Sequence, residues 1–198
     1  MSATTAPQAP TRTNLDLGMV FKEGWRLFVK DLGPILGGFL VATALGVVTL
    51  GILLGPLYAG LYRMVVARVR DGEQPRVGDV FNCLDRFWAF FGAGLALAVL
   101  IALASLTIVG GFILATIWLY VFPVMVDRGV GLGEAMRISK DLVMENGFWQ
   151  HLALIVIFVV VNAVIGWPLA LLTAPFMLAI VGVAYFVAAG KADKVSQA

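Results

Sequence analysis

The chain has a single cysteine, Cys83, and a single histidine, His151. One cysteine excludes an internal disulfide and a CxxC metal or redox motif. One histidine, with no cysteine or carboxylate at ligand spacing, makes a poor metal site, and its place beside Trp149 predicts an interfacial position. Charge is scarce too: Asp, Glu, Lys and Arg make up 13% of the residues, where soluble domains carry about 25%. A net charge of +2 is too small for nucleic-acid binding. The sequence contains no phosphate loop, HExxH, GxSxG or dinucleotide fingerprint. Ser139 and Cys83 have no base nearby in sequence to activate them. No catalytic residue, metal or cofactor is expected, and the enzyme class is set aside.

What the chain has is apolar surface. Hydrophobic residues are 61% of the total and the mean hydropathy is +0.95. A small globule leaves much of its surface wet and cannot hide so much apolar area. Lipid is the natural solvent for the rest. Six apolar segments follow in pairs: 34–54 and 56–70, 89–109 and 112–126, 149–165 and 169–189. Runs of ~20 apolar residues fit a bilayer core. Bends are expected at Gly55-Pro56, Gly110-Gly111 and Gly166-Trp167-Pro168, and a kink at Pro175. Each pair follows an amphipathic stretch: 16–31, 77–91 and 132–145. In the first, Val20, Phe21, Trp25 and Phe28 share one face against Lys22, Glu23, Arg26 and Lys30, a membrane-surface pattern.

The fold class expected is therefore an all-α integral membrane bundle of about six transmembrane helices in three hairpins, each preceded by a cytoplasmic-side amphipathic helix. A disordered tail (1–15), one membrane domain (16–190) and a soluble tail (191–198) complete it. The hairpin units run roughly 16–72, 77–129 and 132–190. Gly18, Gly78 and Gly133 recur at intervals of about 60 residues in a shared apolar-Gly-x pattern, which suggests an internal repeat. All fourteen Lys and Arg lie in the N-terminal region, between Arg63 and Arg86, between Arg128 and Lys140, or in the C-terminal tail. The positive-inside rule then puts both termini in the cytoplasm. Four spans with re-entrant second arms give the same charge map.

Arg63 stands out. It lies seven residues past Pro56 in a short apolar arm, where a charge near mid-bilayer would face a cavity, a partner or a snorkelling route. Arg63, Arg68, Arg70, Tyr62, Tyr120 and Asn162 are the candidate ligand or lipid contacts. Arg68 and Arg70, with Arg76, Arg86 and Lys140, form a basic rim of the kind anionic lipid headgroups attract. Asn162 is the one amide deep in a span, which interhelical hydrogen bonding explains. No Asp or Glu lies inside a span, which argues against a carboxylate proton relay.

Gly55-Pro56-Leu57-x-x-Gly60-Leu61, then Arg70-Asp71-Gly72-Glu73 and Val77-Gly78-Asp79-Val80-Phe81, resembles a group of uncharacterised bacterial polytopic inner-membrane proteins. Gly133-Glu134-Ala135-Met136-x-x-Ser139 with Asn146-Gly147-x-Trp149 carries the same resemblance. The group is related to the membrane domain fused to some glycerophosphodiester phosphodiesterases; the catalytic domain of those enzymes has no counterpart here. The resemblance implies a multi-pass bacterial inner-membrane protein and no catalytic residues. The function expected is a non-catalytic subunit, scaffold or lipid-interacting module. Its partners would be membrane lipids, a second copy or another membrane protein. The alternative is a small transporter or channel with a polar path near Arg63 and Asn162.

Overall fold

The computed structural model describes residues 15–165, 167–191 and 194–195. The N-terminal tail up to residue 14, the expected bend at Gly166 and most of the C-terminal tail lie outside the described residues. Those residues are helical and contain no strand.

Helix α1, Leu17–Lys30, starts where the Asp16 carboxylate accepts from the Met19 N–H at 3.1 Å. Its buried residues Val20, Gly24, Leu27 and Phe28 follow the helical period. They pack along α9, where a Cβ on Gly24 would meet Ile180, and Phe28 lies 5.5 Å from the Phe176 ring. The apolar stripe read as membrane-surface is thus largely covered by protein, while Trp25 stays exposed. Leu15, at the edge of the expected tail, is buried, and its N–H donates to the Asn146 carbonyl at 2.8 Å.

The chain bends by 85° into α2, Leu32–Val48, and returns along α3, Leu54–Asp71. The bend between them is 49–53, overlapping the expected turn around Gly51–Gly55 and leaving Gly55-Pro56 inside α3. Gly51 takes a left-handed φ of +88° there, and the Thr49 hydroxyl bonds the Leu45 carbonyl at 2.7 Å. Pro56 sits in the first turn of α3, where a missing N–H costs nothing. Gly55 serves packing instead: a Cβ would strike the Phe90 carbonyl of the next hairpin.

The second amphipathic stretch is not the α-helix expected from its spacing. It forms two 3-10 turns, Val77–Phe81 and Leu84–Arg86, before α4, Phe87–Ala104. Asp79 bonds the Arg76 N–H at 2.8 Å and the Asn82 amide at 3.2 Å. Such local bonds compete with an α-helix. The turn lies across α3 so closely that a Cβ on Gly60 would run into the Val80 carbonyl.

The next bend is 105–107, and Gly110-Gly111 fall inside α5, Ile108–Ile117. The returning arm is broken at 118–120 before α6, Val121–Arg128. Pro123 has no N–H to offer the Leu119 carbonyl. The Ser139 hydroxyl enters the gap, donating to the Ile117 carbonyl at 2.8 Å and accepting from the Tyr120 N–H at 3.1 Å. Non-helical backbone at membrane depth needs such a partner.

Helix α7, Leu132–Glu145, matches its expected bounds. A 103° bend leads to α8, Phe148–Ile165, and α9, Trp167–Ala188, runs through Pro175. The segments interlock in a ring. The Val77–Phe81 turn lies on α3, α7 lies on α6, and α1 lies on α9. Helix α3 also touches both α6 and α9. The three second arms end alike, in left-handed Gly72, Gly129 and Gly190.

Three stretches are long and apolar enough to cross a membrane: Val77–Ala104, Val109–Arg128 and Leu171–Ala188. The bent pairs α1–α2 and α7–α8 raise the number to five. Helix α3 falls short because its charge-free part, 54–62, rises only about 13 Å. An all-helical membrane bundle fits these lengths.

Replacing Gly60 with Ala will push the Val80 carbonyl off α3 and lower stability by about 2 kcal/mol. Gly92, with open space around its Cα, will accept Ala without loss. Thermal unfolding in detergent separates the two.

Candidate functional site

The charged end of α3 forms one wall of a cleft of about 290 Å³. Arg63 and Arg70 are seven residues apart, two turns of one helix face. The 3-10 turns and Glu73 close the other side, and Val126 and Phe90 form part of the floor. The Arg63 Nη1 donates to the Asn82 carbonyl at 3.0 Å. The Arg86 Nη2 donates to the Gly129 carbonyl at 3.3 Å, with its guanidinium 5.6 Å from the Phe90 ring centre. Arg70 pairs with Asp71 at 2.9 Å and with Asp127 at 3.1 Å. Arg70 is a fixed cation.

Next to the cleft along the α3–α4 seam lies an apolar groove of about 660 Å³. Gly55 and Gly94 make its floor: a Cβ on Gly94 would come within 3.1 Å of the Gly55 Cα. Tyr58 and Phe122 stand at its inner end, and Leu50, Ile52 and Leu95 at its exposed rim. Guanidinium groups and carboxylates below an apolar trough are a recognition set for an amphiphile.

The structure brings together only part of the expected site. Arg63 and Arg70 share the cleft. Arg63 has polar company there, because the 3-10 turns bring the Asn82 carbonyl and Asp85 to the same cleft. Arg68 is no lipid contact: it is buried, bonded to Asp31 at 2.7 Å and to the Gly72 carbonyl at 3.0 Å. Tyr62 stacks on Phe122 with the planes 10° apart. Tyr120 is fully buried between His151 and Tyr185, away from the cleft. His151 is buried too, not interfacial, and its Nδ1–H donates to the Gly147 carbonyl at 2.7 Å. Asn162 accepts from the Thr173 hydroxyl at 2.8 Å, the interhelical bond expected of it.

Sequence reasoning missed Glu73, Asp85 and Phe90 as cleft residues. It also missed Asp127, which accepts from both Arg70 and the Tyr185 hydroxyl, the latter at 2.8 Å. The near-identical tetrapeptides at 69–72 and 126–129 were the one available sign that these two helix ends do related work.

Comparisons with family models, curated proteins and solved structures return no match. The site is therefore read from its own geometry.

Arg68 and Asp31 lock the first hairpin to α1. Removing one partner strands a buried charge, so Arg68→Met will cost about 3 kcal/mol, and Arg68→Met with Asp31→Leu will recover much of it. Chemical unfolding of the three proteins in detergent measures this. Arg63→Gln will leave the midpoint unchanged.

Proposed function

We propose that this chain is a non-catalytic, lipid-interacting module of a membrane, built as three helical hairpins with both termini on the charged, cytoplasmic side. The observation that carries the reading is one seam, between α3 and α4, that holds an exposed apolar groove beside a polar cleft. An amphiphile from the surrounding leaflet fits both at once. A soluble ligand would use the cleft and leave the groove empty.

The uncharged bends support the hairpin topology. Leu50 is 93% exposed and Leu106 is 85% exposed, on bends that contain no charged residue. The hydroxyls of Thr49, Ser105 and Thr107 are bonded back to their own helices. Such tips suit hydrocarbon or its edge. Six spans, counting the short α3, and a threefold duplication are part of the proposal. The cyclic packing and the three left-handed terminal glycines support the repeat. The sequence resemblance supports a bacterial inner-membrane setting.

Passage of a solute is the weaker reading. It needs a polar path joining Arg63 to Asn162, and the Asn162 amide is already spent on Thr173 and the Phe158 carbonyl.

Ala98 is exposed on the groove wall, so Ala98→Trp will fill the groove without disturbing the core. Native mass spectrometry will show bound phospholipid on the unchanged protein and little on the variant; equal lipid on both would refute the lipid reading. Proteoliposomes will show no uptake across a broad solute panel. In a Cys83→Ala background, Thr107→Cys will react with an impermeant maleimide from outside the cell and Arg76→Cys will not. The reverse pattern would invert the topology.

A further inference from the structure

The charges around the cleft balance in number but do not all pair with one another. Three arginines, Arg63, Arg70 and Arg86, face three carboxylates, Asp71, Glu73 and Asp85. Arg70 is paired with Asp71 and Asp127. Arg63 and Arg86 each bond a backbone carbonyl and no carboxylate. Among the described residues, Glu73 and Asp85 have neither an ion-pair nor a hydrogen-bond partner. Two guanidinium groups and two carboxylates thus share one cavity without pairing.

An anionic headgroup would satisfy the arginines and be repelled by Glu73 and Asp85. A cation would do the reverse. A zwitterion satisfies both sets. We infer that the cleft takes a phosphate and a primary ammonium carried on one molecule, the headgroup chemistry of an ethanolamine phospholipid. Arg63 and Arg86 would hold the phosphate, and Glu73 and Asp85 the ammonium. This rests on the lipid-binding reading above and adds its headgroup class.

Two features of the cleft refine the choice. A quaternary ammonium is recognised by a cage of aromatic rings. The cleft has one ring, Phe90, and Arg86 already lies over it. A primary ammonium instead donates to carboxylates, which are present. The cavity, about 290 Å³, holds a headgroup and not a whole lipid. Its companion groove takes the chain. From Arg63 to Gly55 is eight residues of α3, a rise of about 12 Å. That lies within the ~15 Å hydrocarbon depth of one leaflet. A lipid seated with its phosphate at Arg63 therefore lays an acyl chain over Tyr58 and into the groove at Gly55 and Gly94.

The test uses the full chain in mixed micelles holding equal amounts of phosphatidylethanolamine, phosphatidylcholine and phosphatidylglycerol, read by native mass spectrometry. A partly exposed ion pair supports a preference of about fivefold for phosphatidylethanolamine over each of the others. The double variant Glu73→Gln/Asp85→Asn will abolish that preference while retaining as much total lipid. Arg63→Gln will lower retention of all three. Equal retention of the three lipids by the unchanged chain, or a preference for phosphatidylglycerol, overturns the headgroup assignment and leaves lipid binding standing. No retained lipid at all overturns both. Soluble O-phosphoethanolamine is the control for source. It will compete weakly with the lipid. If it binds as tightly as the lipid, and still does so when Ala98→Trp fills the groove, the cleft serves a soluble phosphoamine and the lipid form of the proposal fails.

Discussion

Three arginines on α3 stand on a helix whose other end carries no charge, and the fold is arranged to accommodate them. Charge in hydrocarbon is costly, so each guanidinium needs a carboxylate, a carbonyl or water. Arg68 has Asp31 at the mouth of α2, Arg70 has Asp127 at the foot of α6, and Arg63 has the Asn82 carbonyl. These contacts tie α3 to the start of its own hairpin and to the second one. Lys194, donating to the Arg70 carbonyl at 3.0 Å, adds the end of the chain to the same cluster. One polar layer thereby closes the bundle.

Above that layer, close backbone approach does the work. Gly55, Gly60 and Gly94 each bring a main chain against a neighbouring element, and Gly182 seats against Val65. In a membrane the hydrophobic effect gives helices little reason to associate, so van der Waals contact of this kind carries the packing. Glycine is what permits it. The broken arm at 118–120 follows the same economy. Its freed backbone groups find Ser139, so a residue with no catalytic promise becomes structural.

The cleft and groove are consequences of this arrangement. The 3-10 turns meet α3 at Gly60, and the cleft lies beyond that contact, against the charged end of α3. Because the Arg70 guanidinium is occupied by two carboxylates, Arg63 and Arg86 remain the unpaired cations there. The unpaired charges of the cleft and the bare apolar wall beside it occur on one seam, and the proposed lipid reading rests on that juxtaposition.

The amino-acid sequence by itself determined the apolar segments, the helices and the charged end. Hydropathy and the placement of Lys and Arg are local properties, and they locate α1, α7 and the long spans within a few residues. It also singled out Arg63 as the residue requiring explanation. Tertiary structure decided the rest. Gly55 and Gly110 look like bends in sequence, yet they lie inside helices, because glycine marks close contact as readily as a turn and only the neighbour tells which. Arg68 and Arg70 look alike in sequence, but two residues apart on a helix they face different ways, one into Asp31 and one into the cleft. The stretch 77–86 has a helical hydrophobic period, and Asp79 with the facing Gly60 turns it into 3-10 instead. Partners distant in the chain set these outcomes, so no local pattern could reveal them.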